Sequence, residues 1–441
     1  MSHALIDALK NRRSSIAVLG LGYTGWPLAL ALSEHFEVRG FDTDAKRIAQ
    51  LQQRSSNTAI GANDGPSAAA SSSSSSSSML LSSDPAILSG CDCYIIAVPT
   101  PVTQNNEPDL RSLEAALLTV SAVLKSGGLV ILESTVYPGC TEEFCKPILE
   151  EHSGLKAGMD FGLGYSPERI NPGDQVHTLA TVTKLVSALH TPWLEPVKFI
   201  YETIVTAGVY VCSTVKVAEA AKMTENIQRD VNIALVNQLA ELYEQLSIDA
   251  GEVWQAAATK WNFLPFRPGL AGGHCISVDP YYLLHRSSLV PFAPTLVAEA
   301  RRVNELVKSR IIKRILAHLQ YNAIEYPRAR LLIKGVTFKA NVADVRNSKI
   351  VAVALELMAL GCKVELSDPL ADAIALQHEY GLSLVSKEGS EYDVIVVAAD
   401  HADYYLLQEN YFCERTRQGA LIVDLAGIYR NRISKRNYWT L

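Results

Sequence analysis

Two parallel-sheet α/β domains joined by a long-helix middle segment are what the order of apolar runs predicts for this chain. Three observations carry the expectation. Short apolar strands alternate with helical stretches early in the chain, the same alternation restarts after Tyr326-Pro327, and residues 214–246 between them contain neither Gly nor Pro. Strands that alternate with helices read as parallel sheets, because a parallel pair needs a crossover connection. At 441 residues the chain exceeds what one core usually serves. The expected division is 1–210, 211–325 and 326–441.

The first strand, Ser15–Leu19, runs straight into Gly20-Leu21-Gly22-Tyr23-Thr24-Gly25 and a helical stretch from Pro27. In this context the first glycine makes the turn, the second admits a pyrophosphate and the third lets helix pack on strand. The helix N-terminus then faces the phosphate charge. A second strand, Glu37–Phe41, ends in Asp42, at the distance where an acid holds the adenosine ribose hydroxyls. The segment therefore reads as a Rossmann-like dinucleotide site, formed by Gly20, Gly22, Tyr23, Thr24, Gly25 and Asp42. Asp42 would repel a 2′-phosphate and favours NAD over NADP, while Arg47 nearby pulls the other way.

Residues 57–83 are different, since Ala68-Ala69-Ala70 leads into unbroken serine from 71 to 78. Such a run has no apolar face to bury, and no function is assigned to it. Order resumes with strands at 94–98, 129–133 and 161–165. Ligands of an open parallel sheet bind beyond the carboxyl ends of its strands, so Thr100, Thr135 and Glu168 point to one place. Taken singly, each is equally well explained as a turn or cap.

The 214–246 helix would span roughly 45–50 Å, enough to bridge domains or a subunit interface. Its apolar positions Val231, Ala234, Leu235, Leu239 and Leu242 predict a homodimer or a higher homo-oligomer. Lys222 and Asn226 are four apart and share a face. By themselves Lys222, Lys216, Glu219, Glu225 and Arg229 read as ordinary solvated or paired charges. Residues 267–282 place three glycines close to Cys275, with His274 adjacent and Asp279 four residues on. Glycine permits close backbone approach, and a cysteine so presented is a candidate nucleophile once its thiolate is stabilised. A second helical run covers 296–321. The tail then offers strands at 330–335, 363–368, 392–397 and 420–424, with no second GxGxxG. Lys339 and Arg346 follow its first strand, either as a phosphate grip or as two surface cations.

Composition excludes several classes of function. A net charge of −6 supplies no basic field for a nucleic-acid backbone. No run of eighteen apolar residues suggests a membrane span, and residues 1–13 lack a signal-peptide core. The expected compartment is the cytoplasm. Eight cysteines at irregular spacing predict reduced thiols and no structural metal.

Several segments in combination resemble the nucleotide-sugar 6-dehydrogenases, the UDP-glucose/GDP-mannose dehydrogenase family. They are the Gly20–Gly25 turn, Val98-Pro99-Thr100-Pro101, Glu133-Ser134-Thr135-Val136-Tyr137-Pro138-Gly139, Ser166-Pro167-Glu168-Arg169-Ile170-Asn171-Pro172-Gly173, Gly272-Gly273-His274-Cys275 and Phe338-Lys339 with Arg346. Gly-Gly-His-Cys followed by Val278-Asp279-Pro280-Tyr281-Tyr282 is similar to the UDP-N-acetylhexosamine branch. The UDP-glucose and GDP-mannose branches carry Gly-Gly-Ser-Cys and a lysine where Val278 stands. Thr24 and Trp26 depart from the small aliphatic residues usual after Tyr23, and Lys334 departs from an otherwise apolar strand.

The resemblance implies oxidation of C6 of a UDP-N-acetylhexosamine to the carboxylate in two hydride transfers to NAD+, for bacterial surface polysaccharide precursors. It implies that Cys275 adds to the aldehyde as a thiohemiacetal and carries the thioester that follows. Lys222 and Asn226 would hold the oxygen that becomes anionic, Asp279 would handle a proton through water, Glu168 would assist thioester hydrolysis and Thr135 would order a water. Cofactor contacts would include Arg47, Thr100, Thr135 and Arg346. Glu168, Arg169, Asn171, Lys222, Asn226, Phe266, Arg267, Gly269, Gly272, Phe338 and Lys339 would line the UDP-sugar. Competing readings are a UDP-glucose or UDP-N-acetylmannosamine 6-dehydrogenase, a β-hydroxyacid dehydrogenase performing one oxidation, and a non-catalytic NAD-binding protein.

Overall fold

In the computed structural model, residues 2–58, 79–170, 174, 176–273 and 276–441 are described, without the side chains of 54–58. The serine run 71–78, Asn171, His274 and Cys275 lie outside the described residues. The chain forms two compact units, Met1–Glu225 with Tyr281–Val290, and Asn226–Pro280 with Pro291–Leu441.

The first unit is built on a sheet of strands β1 (Ser15–Leu19), β2 (Glu37–Phe41), β3 (Leu80–Ser82), β4 (Cys93–Ile96), β5 (Leu129–Leu132), β6 (Gly162–Tyr165), β7 (Lys184–Ala188) and β8 (Val209–Val211). Their order is β3-β2-β1-β4-β5-β6-β7-β8. Residues alternate between the two faces of the sheet. Ala17, Leu19, Tyr94 and Ile96 join one apolar cluster, which includes Leu113 and Leu117 of helix Arg111–Ser121. Ile16, Val18, Cys93 and Ile95 join the other, with Leu28 of helix Gly25–Ser33 and Ile200 of helix Leu194–Ile204. A sheet buried on both faces explains why these strands read as continuous apolar runs.

The parallel expectation holds across this sheet except where β7 runs antiparallel to β6. The cause is local. Among the described residues no helix lies between β6 and β7, and the segment leaves β6 as Ser166-Pro167-Glu168-Arg169. That segment is thereby held at the carboxyl end of the sheet. The short strands β3, β7 and β8 were not foreseen, because β3 and β8 have three residues each and β7 mixes polar and apolar residues, so none shows a period.

The long helix is Val215–Gln245, one residue shorter at each end than the 214–246 helix expected from sequence. Beyond it Ser247 takes φ +57°, and the Ile248 amide donates to the Tyr243 carbonyl at 2.9 Å, closing the helix end. The second unit has a wholly parallel sheet of β9 (Arg330–Lys334), β10 (Lys363–Ser367), β11 (Tyr392–Val397), β12 (Thr416–Asp424) and β13 (Asn437–Thr440), ordered β10-β9-β11-β12-β13. Helix Thr295–Tyr321 packs its Ile311, Ile315 and Leu319 into the core of this sheet. Lys334, out of place by sequence, is buried and donates to Glu388, with the Tyr404 ring 5.1 Å from its Nζ. Among the described residues no helix is long and apolar enough to cross a membrane.

Candidate active site

The glycine-rich turn opens at the carboxyl end of β1. Gly20 has φ +87°, and a Cβ there would stand 2.7 Å from the Ala97 carbonyl oxygen, so glycine is required twice over. A Cβ on Gly25 would stand 1.8 Å from the Gly20 carbonyl oxygen, which fixes the helix hard against the turn. Gly22 differs, since the nearest atom to its Cβ position is Arg47 Nη1 at 3.9 Å and the backbone stays approachable. Thr24 precedes helix Gly25–Ser33 without capping it through its side chain. Asp42 is buried, accepts the Leu21 amide at 2.8 Å and the Asp44 amide at 3.0 Å, and meets Arg47 at 3.3 Å. A glycine turn with an approachable backbone beside an oriented carboxylate fits the pyrophosphate and ribose of a dinucleotide. Tyr23 stands half-exposed beside it.

The next strands bring their loops together. Thr100 Oγ1 donates to the Thr135 carbonyl at 2.7 Å, and Ser134 Oγ donates to the Val98 carbonyl at 2.7 Å. Buried Tyr282 donates to the Thr100 and Pro101 carbonyls at 3.0 and 3.1 Å. Glu219 corrects the expectation of a solvated charge: it is fully buried and accepts from the Gly139 amide at 2.6 Å and from the Thr141 amide and hydroxyl at 2.9 and 2.6 Å. It ties the loop after β5 to the helix that carries Lys222. Burial pushes its carboxyl up to about 7, against the pull of those donors.

Glu168 is 7% exposed, and burial raises its carboxyl above the ordinary value. Lys222 opposes this most, followed by Lys184 and the Ile170 amide, which donates to the Glu168 carboxylate, while Glu133 adds to the rise. Lys222 is itself buried rather than solvated. Arg169 is engaged by Glu225 at 2.6 Å and by the Thr183 carbonyl at 2.6 Å. A small cleft is lined by Thr24, Glu133, Glu168, Arg169 and Lys184 among others, so the segment after β6 shares a wall with the glycine turn.

In the second unit Asn226 donates to Asp279 at 2.5 Å, and both are buried. Asn347, at φ +50°, donates to the Gly273 carbonyl at 2.8 Å and to Ser277 Oγ at 2.9 Å, and Ser277 Oγ donates to the Gly273 carbonyl at 2.6 Å. These bonds hold the chain on both sides of His274-Cys275. A Cβ on Gly272 would lie 3.1 Å from the Asn347 carbonyl oxygen, and one on Gly273 2.9 Å from the Phe338 ring. Phe338 and the glycine pair are thus neighbours. Asn237 pairs with the Gly269 backbone in both directions, accepting from the amide at 2.8 Å and donating to the carbonyl at 3.0 Å. Behind it buried Arg301 meets Asp230 at 2.6 Å.

Other expected contacts have local partners. Arg346 forks onto Asp344 at 2.6 and 3.0 Å, Phe266 is half-buried and Arg267 is exposed. The Lys339 carbonyl accepts from the Thr337 hydroxyl at 2.8 Å. Sequence reading missed Glu133, Lys184, Glu219, Asn237 and Asn347. Only Asn347 carried a local signal, as an asparagine suited to a left-handed turn.

Comparison with known proteins agrees in all three regions. Residues 14–205 match the NAD binding domain of the UDP-glucose/GDP-mannose dehydrogenase family, 216–306 its central domain and 332–431 its UDP binding domain. The chain is 42% identical over 415 residues to Protein CapL of Staphylococcus aureus, covering 94% of this chain and 96% of that one. It is 43% identical over 390 residues to a UDP-N-acetyl-D-glucosamine 6-dehydrogenase of Salmonella typhi, covering 88% and 90%. The solved structure of a UDP-D-ManNAc dehydrogenase from Pyrococcus horikoshii superposes with a TM-score of 0.83 at 26% identity, covering 97% of this chain and 98% of that one. The chain is an NAD-dependent oxidoreductase and belongs to the UDP-glucose/GDP-mannose dehydrogenase family.

Proposed function

We propose that this chain oxidises C6 of UDP-N-acetylglucosamine to the carboxylate, forming the UDP-uronate used in surface polysaccharide precursors. The 43% identity to a UDP-N-acetyl-D-glucosamine 6-dehydrogenase over most of both chains carries the reading. The balance is R–CH2OH + 2 NAD+ + H2O → R–COO− + 2 NADH + 3 H+. NAD+ supplies a hydride acceptor, and Gly20, Gly22, Gly25 and Asp42 would hold it.

The chain's own residues do the rest. Cys275 thiolate adds to the aldehyde carbon so that a hydride can leave a second time, and the thioester is then hydrolysed. Lys222 and Asn226 steady the oxygen that gains charge. Asp279, bonded to Asn226, accepts a proton through water, and Glu168 activates the hydrolytic water. Thr135 orders that water, and Phe338, Lys339 and Gly272 flank the nucleotide-sugar. With NAD+ and a panel of UDP-glucose, UDP-N-acetylglucosamine and its galacto and manno epimers, the first N-acetyl sugar should give the highest kcat/KM and two NADH per sugar consumed. Preference for the manno epimer would favour the second reading, which the Pyrococcus fold likeness supports. One NADH per sugar would exclude both.

The working assembly we infer is a homodimer in the cytoplasm. Leu235 and Leu242 are 52% and 49% exposed at helical spacing on Val215–Gln245, and Leu246 just past its end is 57% exposed, an apolar stripe that a second copy would cover. Light scattering at micromolar concentration should give about twice the 48.1 kDa chain mass. A monomeric mass would count against it.

A further inference from the structure

The wall of the cleft under the β6–β7 loop contains a charge that the proposed mechanism does not use. Lys184 opens β7, its side chain is 4% exposed, and its Nζ lies 2.6 Å from Glu133 Oε2 and 2.8 Å from the Pro167 carbonyl oxygen. Tyr201 completes the cluster by donating to Glu133 Oε1 at 2.7 Å, and its ring centre is 5.1 Å from the lysine nitrogen. Three elements far apart in sequence thus meet at the residue just before Glu168.

Stability alone is a poor reason for this cluster. An ion pair taken out of water recovers in attraction about what it loses in hydration, and apolar groups of the same volume commonly serve as well. The lysine does two things that an apolar group would not. It holds the Pro167 carbonyl, so the loop cannot carry Glu168 away from the cleft. It also leaves a net attraction for the Glu168 carboxylate, since its influence there outranks the opposing one of Glu133.

We propose that Lys184 is a positioning residue for Glu168, fixing the loop that carries it and keeping its carboxylate ionised for hydrolysis of the acyl-enzyme. The inference rests on the hydrolytic role given to Glu168 above. In that step a water oxygen bonds the acyl carbon, the carbon–sulfur bond breaks, Cys275 leaves as thiolate and one water proton passes to Glu168. Glu168 acts only when ionised, so the step is fast above its pKa and is lost as pH falls through it. Burial has already raised that point, and Lys222 and Lys184 both hold it down against Glu133. Loss of Lys184 must therefore move the acidic fall of the rate to higher pH.

The test uses the full chain with UDP-N-acetylglucosamine and NAD+, following decay of the acyl-enzyme by intact mass after quenching across pH. Lys184→Met should shift the acidic limb upward, with decay on that limb slower by on the order of tenfold and the acyl-enzyme mass accumulating there. KM for both substrates should change little, and Lys184→Arg should restore the limb. Should the methionine variant fail to fold, Glu133→Gln with Lys184→Met removes both buried charges together and should shift the limb the same way by less. Glu168→Gln separates the two ideas. If that variant keeps the parent's acidic limb, the role of Glu168 is wrong; if it loses the limb while the folded Lys184 variants leave it unmoved, the role of Lys184 is overturned.

Discussion

Replacing Cys275 by Ser is expected to reduce the product to at most about one NADH per active site in a burst, where the parent forms two per UDP-sugar turned over. The substitution nearly preserves volume but raises the pKa of the nucleophile far above neutrality. Addition to the aldehyde should then slow by orders of magnitude, on the scale seen when an enzyme loses its nucleophile. The first hydride transfer needs no thiolate and should survive. The structural neighbours of the loop support that separation, because Asn347 and Ser277 fix the backbone on either side without using the thiol. Cys91, Cys93 and Cys362 are buried free thiols, and burial pushes all three upward in pKa, Cys93 beyond the ordinary thiol range. Serine at any of these should leave the stoichiometry intact. Repeated turnover of Cys275→Ser at the parent rate, with two NADH per product, would remove the thioester from the mechanism.

Ser15–Leu19, Glu37–Phe41 and Tyr392–Val397 could be read residue for residue, because the first is a wholly buried apolar or small-residue run and the other two keep enough apolar positions before a polar or small turn to stand out despite Glu37, Arg39 and Asp393. The same logic located the long helix and the glycine turn. It failed for β7, where Lys184 begins the strand and hides the pattern. Lys184 belongs to Glu133, 51 residues earlier, and a pairing at that distance leaves no periodic trace. Glu219 failed for a related reason. Helical spacing tells which residues share a face, and the loop Gly139–Thr141 that covers this one lies 78 to 80 residues before it. Lys222 and Asp279 were legible only by resemblance, since one lysine on a helix and one acid before a proline carry no chemistry until partners are known. The site is therefore less visible than the fold, because folds are written in local patterns and sites in meetings between distant segments.

Lys222→Met should slow both hydride transfers together, and no burst of one NADH should survive. The proposed oxygen of the substrate gains negative charge at the alcohol stage and again at the thiohemiacetal stage, and the same cation serves both. Removing a single preorganised donor from such a position costs about 10²–10³-fold in kcat. The methylene stem of Met keeps most of the packing of a buried lysine, so the loss should be one of charge. A second effect follows from the same field. Lys222 is the largest influence holding the Glu168 carboxyl down against burial, so without it that carboxyl titrates higher. What activity remains should fall away at higher pH than in the parent, in the same direction as in Lys184→Met. The two variants differ in the step they slow. Lys184→Met should accumulate acyl-enzyme, having made its two NADH, whereas Lys222→Met should accumulate no covalent adduct, because it stalls before the thioester forms. Intact mass of each variant after mixing with UDP-N-acetylglucosamine and NAD+ distinguishes them, and acyl-enzyme in the Lys222 variant at parent levels would show that this cation does not serve the oxidation steps.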